Sequence, residues 1–89
     1  YMAITDCFQL GGEDTLVLNG TTNKGVFKTG DPVYVQLTNG KVVEGTISRM
    51  EQLRQDVTES TLGESIGIMV DGLSISDQDY VTGGVIVVK

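Results

Sequence analysis

Residues 32–48, PVYVQLTNGKVVEGTIS, leave the chain little choice of local structure. Val33, Val35 and Leu37 alternate with Tyr34 and Gln36, which is the two-residue period of a strand with one buried face. Pro32 stands at the start of that strand, where a missing N–H is tolerated. Asn39-Gly40 then supplies the positive φ angles of a two-residue type I′ hairpin turn, so the run from Lys41 to Ser48 is expected to return antiparallel. Its inner face would carry Val43, Gly45 and Ile47, with Gly45 admitting a bend or a close backbone approach.

The rest of the chain repeats this grammar, with β-branched runs set between glycines. In MAITDCFQL (2–10), Ile4, Phe8 and Leu10 share one parity, and Asp6 interrupts it; a bulge or an edge position would reconcile the two. GGEDT (11–15) reads as a polar loop, with Glu13 and Asp14 in a plain turn. TLVLNG (15–20) reads as a strand buried on both faces. RMEQLRQDV (49–57) carries Met50, Leu53 and Val57 at helical spacing between strand-like flanks, and is read as a bent strand or hairpin with one helical turn as the alternative. In SIGIMVDGL (65–73), Ile66, Ile68 and Val70 face in, and Gly67 and Met69 face the other way. GGVIVVK (83–89) is an apolar final strand. Six to eight short strands without a long helix predict an all-β fold: a single small, closed, antiparallel β-barrel, a form that removes exposed sheet edges.

With 89 residues there is room for one domain, because a chain this short buries only about 60–65% of the surface its unfolded form exposes. That domain is read as 2–89, with Tyr1 preceding a natural start at Met2. No apolar run approaches the ~20 residues that cross a bilayer, so no membrane role is expected. Twelve acidic side chains against six basic ones give a net charge of −6, which argues against broad affinity for nucleic acid or anionic lipid. Cys7 is the only cysteine; it forms no internal disulfide and fits a reducing compartment, so cytoplasm is expected.

Histidine is absent, and with it the commonest general base and metal ligand. Cys7 therefore reads as a half-buried strand residue rather than a nucleophile. Gly40-Lys41 does not close a phosphate loop, because the position where GxxxxGK[ST] needs its first glycine is Val35. Asp77 and Asp79 stand two apart, as in a calcium loop, but without its glycine or distal glutamate, so SDQD (76–79) reads as a solvated loop and no metal is expected. The reading is a nonenzyme with no catalytic residue and no cofactor. The candidate binding residues are the two arginines, Arg49 and Arg54, which suit a phosphate or carboxylate; surface pairing with Glu51, Asp56 or Glu59 is the competing and weightier reading. Tyr34 and Tyr80 are isolated aromatics, not a base-stacking platform.

GVFKTGD (25–31) reads as a structural connector. Gly25 and Gly30 let the chain reverse, Val26 and Phe27 anchor it beneath, and Lys28 lies along the surface with its ammonium wet. Asp31 can accept backbone N–H bonds within the turn.

Taken in order, ITDCFQL, GVFKTGDPVYV, LGESIGIMVDGL and TGGVIV resemble the β-barrel second domain of translational GTPases of the elongation factor Tu type. The matching positions are Phe8; Gly25, Lys28, Gly30 and Asp31; Gly63, Glu64, Gly67 and Ile68; and Gly83, Val85 and Ile86. The resemblance spans essentially residues 3–88. Departures are Thr82, where the family often has a basic residue before the closing glycine, and LNGTTNKG, where the second strand customarily ends Thr-Gly-Arg-Val. In the family a glutamate and an arginine of the mid-domain strand help hold the aminoacylated end of tRNA; alignment on Gly45 places Ile47 and Met50 there, which does not support that contact. What the resemblance implies is a noncatalytic binding module with a protein or ribonucleoprotein partner. The alternatives are a domain excised from a larger translational GTPase that docks on ribosome or tRNA, and a self-associating structural β protein. Partner and oligomeric state stay open at this point.

Overall fold

The computed structural model describes residues 1–10, 15–22 and 24–89. The chain forms strands β1 (Met2–Ala3), β2 (Asp6–Gln9), β3 (Leu16–Thr21), β4 (Pro32–Gln36), β5 (Val42–Gln52), β6 (Gln55–Val57), β7 (Ser65–Asp71) and β8 (Val85–Val88), with a 3₁₀ helix, η1, at Ile75–Tyr80. All strand pairings are antiparallel. The order across the eight-stranded sheet is β1-β8-β4-β5-β7-β3-β2, with β6 paired on β5 off this path. Among the described residues, no helix is long and apolar enough to cross a membrane. The polar loop read at 11–15 lies, apart from Thr15, outside the described residues.

The all-β antiparallel reading holds, and the sheet has eight strands. It is not the closed hydrogen-bonded ring expected from sequence, because among the described residues no ladder joins its terminal members, β1 and β2. Those two are consecutive pieces of one chain segment, which changes partner at Ile4–Thr5. Ile4 N–H donates to the Gly84 carbonyl, and Thr5 N–H donates to the Asn19 carbonyl. Beside this crossing, β1 lies against Gly20, where any Cβ would stand 2.4 Å from the Ala3 carbonyl oxygen. Only glycine lets the two backbones approach this closely.

The inner face of the sheet wraps an aliphatic core of Met2, Ile4, Leu16, Leu18, Phe27, Val33, Val35, Leu37, Ile47, Met50 and the inward side chains of β7 and β8. β4 alternates as expected, and β3 is buried at Leu16, Val17 and Leu18 alike. The hydrophobic effect drives this burial at about 25 cal/mol per Å² of apolar surface, and the strand period decides which residues take part.

Four local expectations need correction. The β4–β5 hairpin forms with Val35 opposite Val43, but its turn is not the two-residue type I′. Gly40 N–H donates to the Leu37 carbonyl and Leu37 N–H to the Lys41 carbonyl, so the loop has three residues. Gly40 has positive φ (89°) while Asn39 does not; a type I turn followed by a left-handed residue is the common three-residue solution. Asn39 is used differently, its side-chain oxygen accepting Lys41 N–H at 3.0 Å.

The second correction concerns Phe8, which is 45% exposed instead of facing in with Ile4. The partner change at Ile4–Thr5 breaks the alternation, so Cys7 packs on the core and Phe8 turns out. Asp6 takes the edge position that sequence allowed, its carboxylate accepting Cys7 N–H at 2.9 Å. The third is Val26, exposed while Phe27 alone anchors the connector; neighbours in extended chain point to opposite sides.

Between 49 and 57 the chain is both a bent strand and a hairpin. β5 pairs with β4 through its first half and with β7 and β6 through its second. Its register against β7 shifts between Ile47 and Arg49, a bulge that turns the strand. SDQD lies within η1, where Asp77 is buried and paired with Lys41 at 3.3 Å rather than solvated.

Candidate functional site

The outer face of β2, β3, β7 and β5 carries a cleft of about 280 Å³ lined by Phe8, Leu10, Val17, Asn19, Glu51, Gly67 and Met69. Strand register assembles it. One row across the sheet runs Phe8, Val17, Met69, Arg49, and the next runs Asp6, Asn19, Gly67, Glu51. Gly67 makes the hollow: a Cβ there would stand 3.1 Å from both the Asn19 side-chain oxygen and a Val17 methyl. The walls are apolar, while the Asn19 amide and the Glu51 carboxylate supply hydrogen-bonding groups. Few polar groups in an apolar hollow is the usual composition of a ligand site. The volume falls just under the roughly 300 Å³ lower bound of drug-sized pockets, which suits one flat ring or one side chain.

The sequence reading missed this cleft. It took Phe8 as inward, and Gly67 and Met69 stand about sixty positions from Phe8 in the chain. The available signal was the β3 reading: Val17 buried on the face away from the core requires something apolar beside it.

Arg49 and Arg54 lie at the same end of β5 without converging. The Arg49 guanidinium sits 2.9 Å from an Asp56 carboxylate oxygen, with both side chains exposed. Arg54 is at the tip of the β5–β6 hairpin and exposed, and its guanidinium makes no hydrogen bond or ion pair among the described residues. The two-residue turn Leu53-Arg54 has φ of 52° and 61°, the left-handed pair of a type I′ turn built without glycine or asparagine. Leu53 is 81% exposed.

In the connector, Gly25 and Gly30 have φ of 72° and 92°. Asp31 accepts Lys28 N–H through its carboxylate and donates its own N–H to the Lys28 carbonyl. Gly30 N–H donates to the Ile47 carbonyl, tying the turn to β5. Lys28 is exposed and pairs through its backbone with Glu59. The connector lines no part of the cleft.

Cys7 is half-buried, and its thiol is pushed up to about 11, chiefly by burial and secondarily by the Asp6 carboxylate. A thiol held protonated at neutral pH is a poor nucleophile. Among the described residues, no group of three or more cysteine, aspartate or glutamate side chains is disposed to hold a metal ion.

No protein-family profile matches the sequence. Among solved structures, the chain has the fold of a translation-factor β domain. It superimposes on part of translation elongation factor SelB from Methanococcus maripaludis, in its apo form, with a TM-score of 0.81 and 23% identity. The match covers 99% of this chain and 18% of that one, so the chain spans under a fifth of the SelB length. Ile47 and Met50, the positions that alignment on Gly45 selects, are 1% and 0% exposed: they are core residues that no ligand reaches. A glutamate and an arginine with the same spacing do occur four positions further on, as Glu51 in the cleft wall and Arg54 at the hairpin tip.

Proposed function

We propose that the chain is a noncatalytic, cytoplasmic binding module of the translation-factor type, a barrel whose ring is completed by the bent 2–9 segment, and that its outer cleft takes the terminal nucleoside of an RNA. The observation that carries this reading is the cleft itself: an apolar slot over Gly67 with Phe8 on one wall and the Glu51 carboxylate on another. Splayed single-stranded ends are bound by stacking on an aromatic ring and hydrogen bonding at base and sugar edges. Phe8 serves the first need, and Asn19 and Glu51 the second.

Charge supports an end contact over a backbone contact. With a net charge of −6, the surface does not attract a run of phosphates, whereas one nucleoside at a strand end brings little charge into the slot. The resemblance of the sequence to a family whose second domain helps hold the aminoacylated end of tRNA favours an aminoacylated RNA end over other nucleotides. The same cleft would serve a free-standing module or one joined to a GTPase domain.

The test is a methyl and amide NMR titration with an aminoacylated RNA minihelix. Shifts should centre on Phe8, Gly67 and Met69, and Gly67→Val, which fills the slot, should abolish them. Shifts confined to the opposite face, or none at millimolar RNA, would overturn the assignment.

A further inference from the structure

The hairpin tip pairs two features that the fold itself does not use. Leu53 is the most exposed large apolar residue among those described, and the adjacent guanidinium of Arg54 has no acidic partner there. Two successive left-handed residues without glycine are strained, although the same chain places Asn-Gly in a turn some fourteen positions earlier. The strain is held by a firm base. β6 pairs with β5 at Met50, Glu51 and Gln52. The buried Gln52 side chain accepts Thr61 N–H at 3.0 Å and reaches the Ser65 carbonyl at 3.4 Å. The tip thus stands on an anchored base, and anchoring of this kind lowers the ordering cost of a contact.

Such a tip calls for an apolar socket edged by a carboxylate, and the chain carries one. The outer cleft offers Phe8, Leu10, Val17 and Met69 as socket and Glu51 as its acidic edge. The tip follows directly on the strand that supplies the acidic edge of the socket, with Glu51 two residues before Leu53 and Gln52 turned inward between them. A tip only two residues from the Glu51 wall cannot fold back into that cleft, but a two-fold axis beside β5 lets each copy fill the other. We propose that the chain forms a reciprocal homodimer in which Leu53 of each copy enters the cleft of the other and Arg54 pairs with Glu51 across the interface. The contact is small, and interfaces well below about 1,000 Å² are transient. Dimerisation covers the cleft, so it acts as a concentration-dependent gate on whatever ligand the cleft binds.

Sedimentation equilibrium of the full chain without RNA, from micromolar to millimolar protein, tests this directly and does not depend on the ligand. A monomer–dimer equilibrium is expected, weakened at least about tenfold by Leu53→Asp, as for a central anchor. Circular dichroism would verify that this surface variant stays folded. Arg54→Glu and Glu51→Arg should each weaken self-association. An equimolar mixture of the two variants should restore it, because in the mixed dimer both tip–cleft pairs bring opposite charges together, while each variant alone opposes like charges in both. A monomer at millimolar concentration overturns the proposal. So does a dimer indifferent to Leu53→Asp, or a mixture that associates no better than either variant alone.

Discussion

Phe27 and Ser60, thirty-three positions apart, exchange two hydrogen bonds. Phe27 N–H donates to the Ser60 hydroxyl at 2.8 Å, and Ser60 N–H donates to the Phe27 carbonyl at 2.8 Å. Both residues are buried, so water cannot replace either bond. The serine side chain completes a strand-like exchange where the connector meets the segment after β6. Ser60→Ala would leave a buried N–H unpaired, a defect that costs about 1–3 kcal/mol. Urea denaturation should show the midpoint falling with an unchanged slope. A variant as stable as the parent would mean that the connector relaxes to find another acceptor.

Gly45 is held against β7 more tightly than its strand position required. A methyl there would stand 2.4 Å from the Asp71 carbonyl oxygen and 2.5 Å from a Val70 methyl. Gly45→Ala must push β5 and β7 apart at the end of their shared ladder, where Thr46 faces Asp71. A loss of about 1–3 kcal/mol or more is expected, as for overpacking at a site that cannot yield. Thermal melts of the variant would show it as a lowered midpoint.

The Leu53-Arg54 turn predicts the opposite sign. Exchanging the pair for asparagine and glycine, as Leu53→Asn together with Arg54→Gly, puts residues that favour positive φ where both φ values are already positive. Relief of left-handed strain is expected to raise stability by about 1–2 kcal/mol, partly offset by the added flexibility of glycine when unfolded. The same change should abolish self-association. Stability and association moving in opposite directions would mark the strain as kept for a contact.

Cys7 predicts a limited alkaline effect. Its thiol ionises near 9 when unfolded and near 11 when folded. The unfolded chain therefore releases this proton first, and stability falls as pH rises. The Cys7 contribution is fully present below about 9 and is lost across the window from about 9 to about 11. Alkaline unfolding should therefore begin later in Cys7→Ala than in the parent, once the two are matched at pH 7. Thiol-reagent labelling of the native protein at about pH 8 should be slow, since little thiolate is present there, and rapid labelling would contradict the burial.

Much of the fold was legible because strand residues alternate with a period of two and the core takes one face. Val33, Val35, Leu37, Ile66, Ile68 and Val70 were assigned inward from spacing alone, and all are buried. The 49–57 segment was read as bent strand or hairpin, and β5 and β6 make both. The turns were less legible. Asn39-Gly40 favours a type I′ turn, but the β4–β5 register is one that a three-residue loop satisfies. Leu53-Arg54 disfavours that geometry, yet the pairing of β6 on β5 leaves just two residues for the reversal. Local preference lost in both places to the ladder on either side.

By itself the sequence determined that this chain is an antiparallel β protein with an aliphatic interior, since alternation and glycine spacing are properties of neighbouring residues. Tertiary structure alone decided where Phe8 points, how the sheet ends meet at Ile4–Thr5, and that Phe8, Val17, Glu51, Gly67 and Met69 share one hollow. Those outcomes depend on register between strands distant in the chain. A shift of one residue moves a side chain from core to surface, and no local pattern records it.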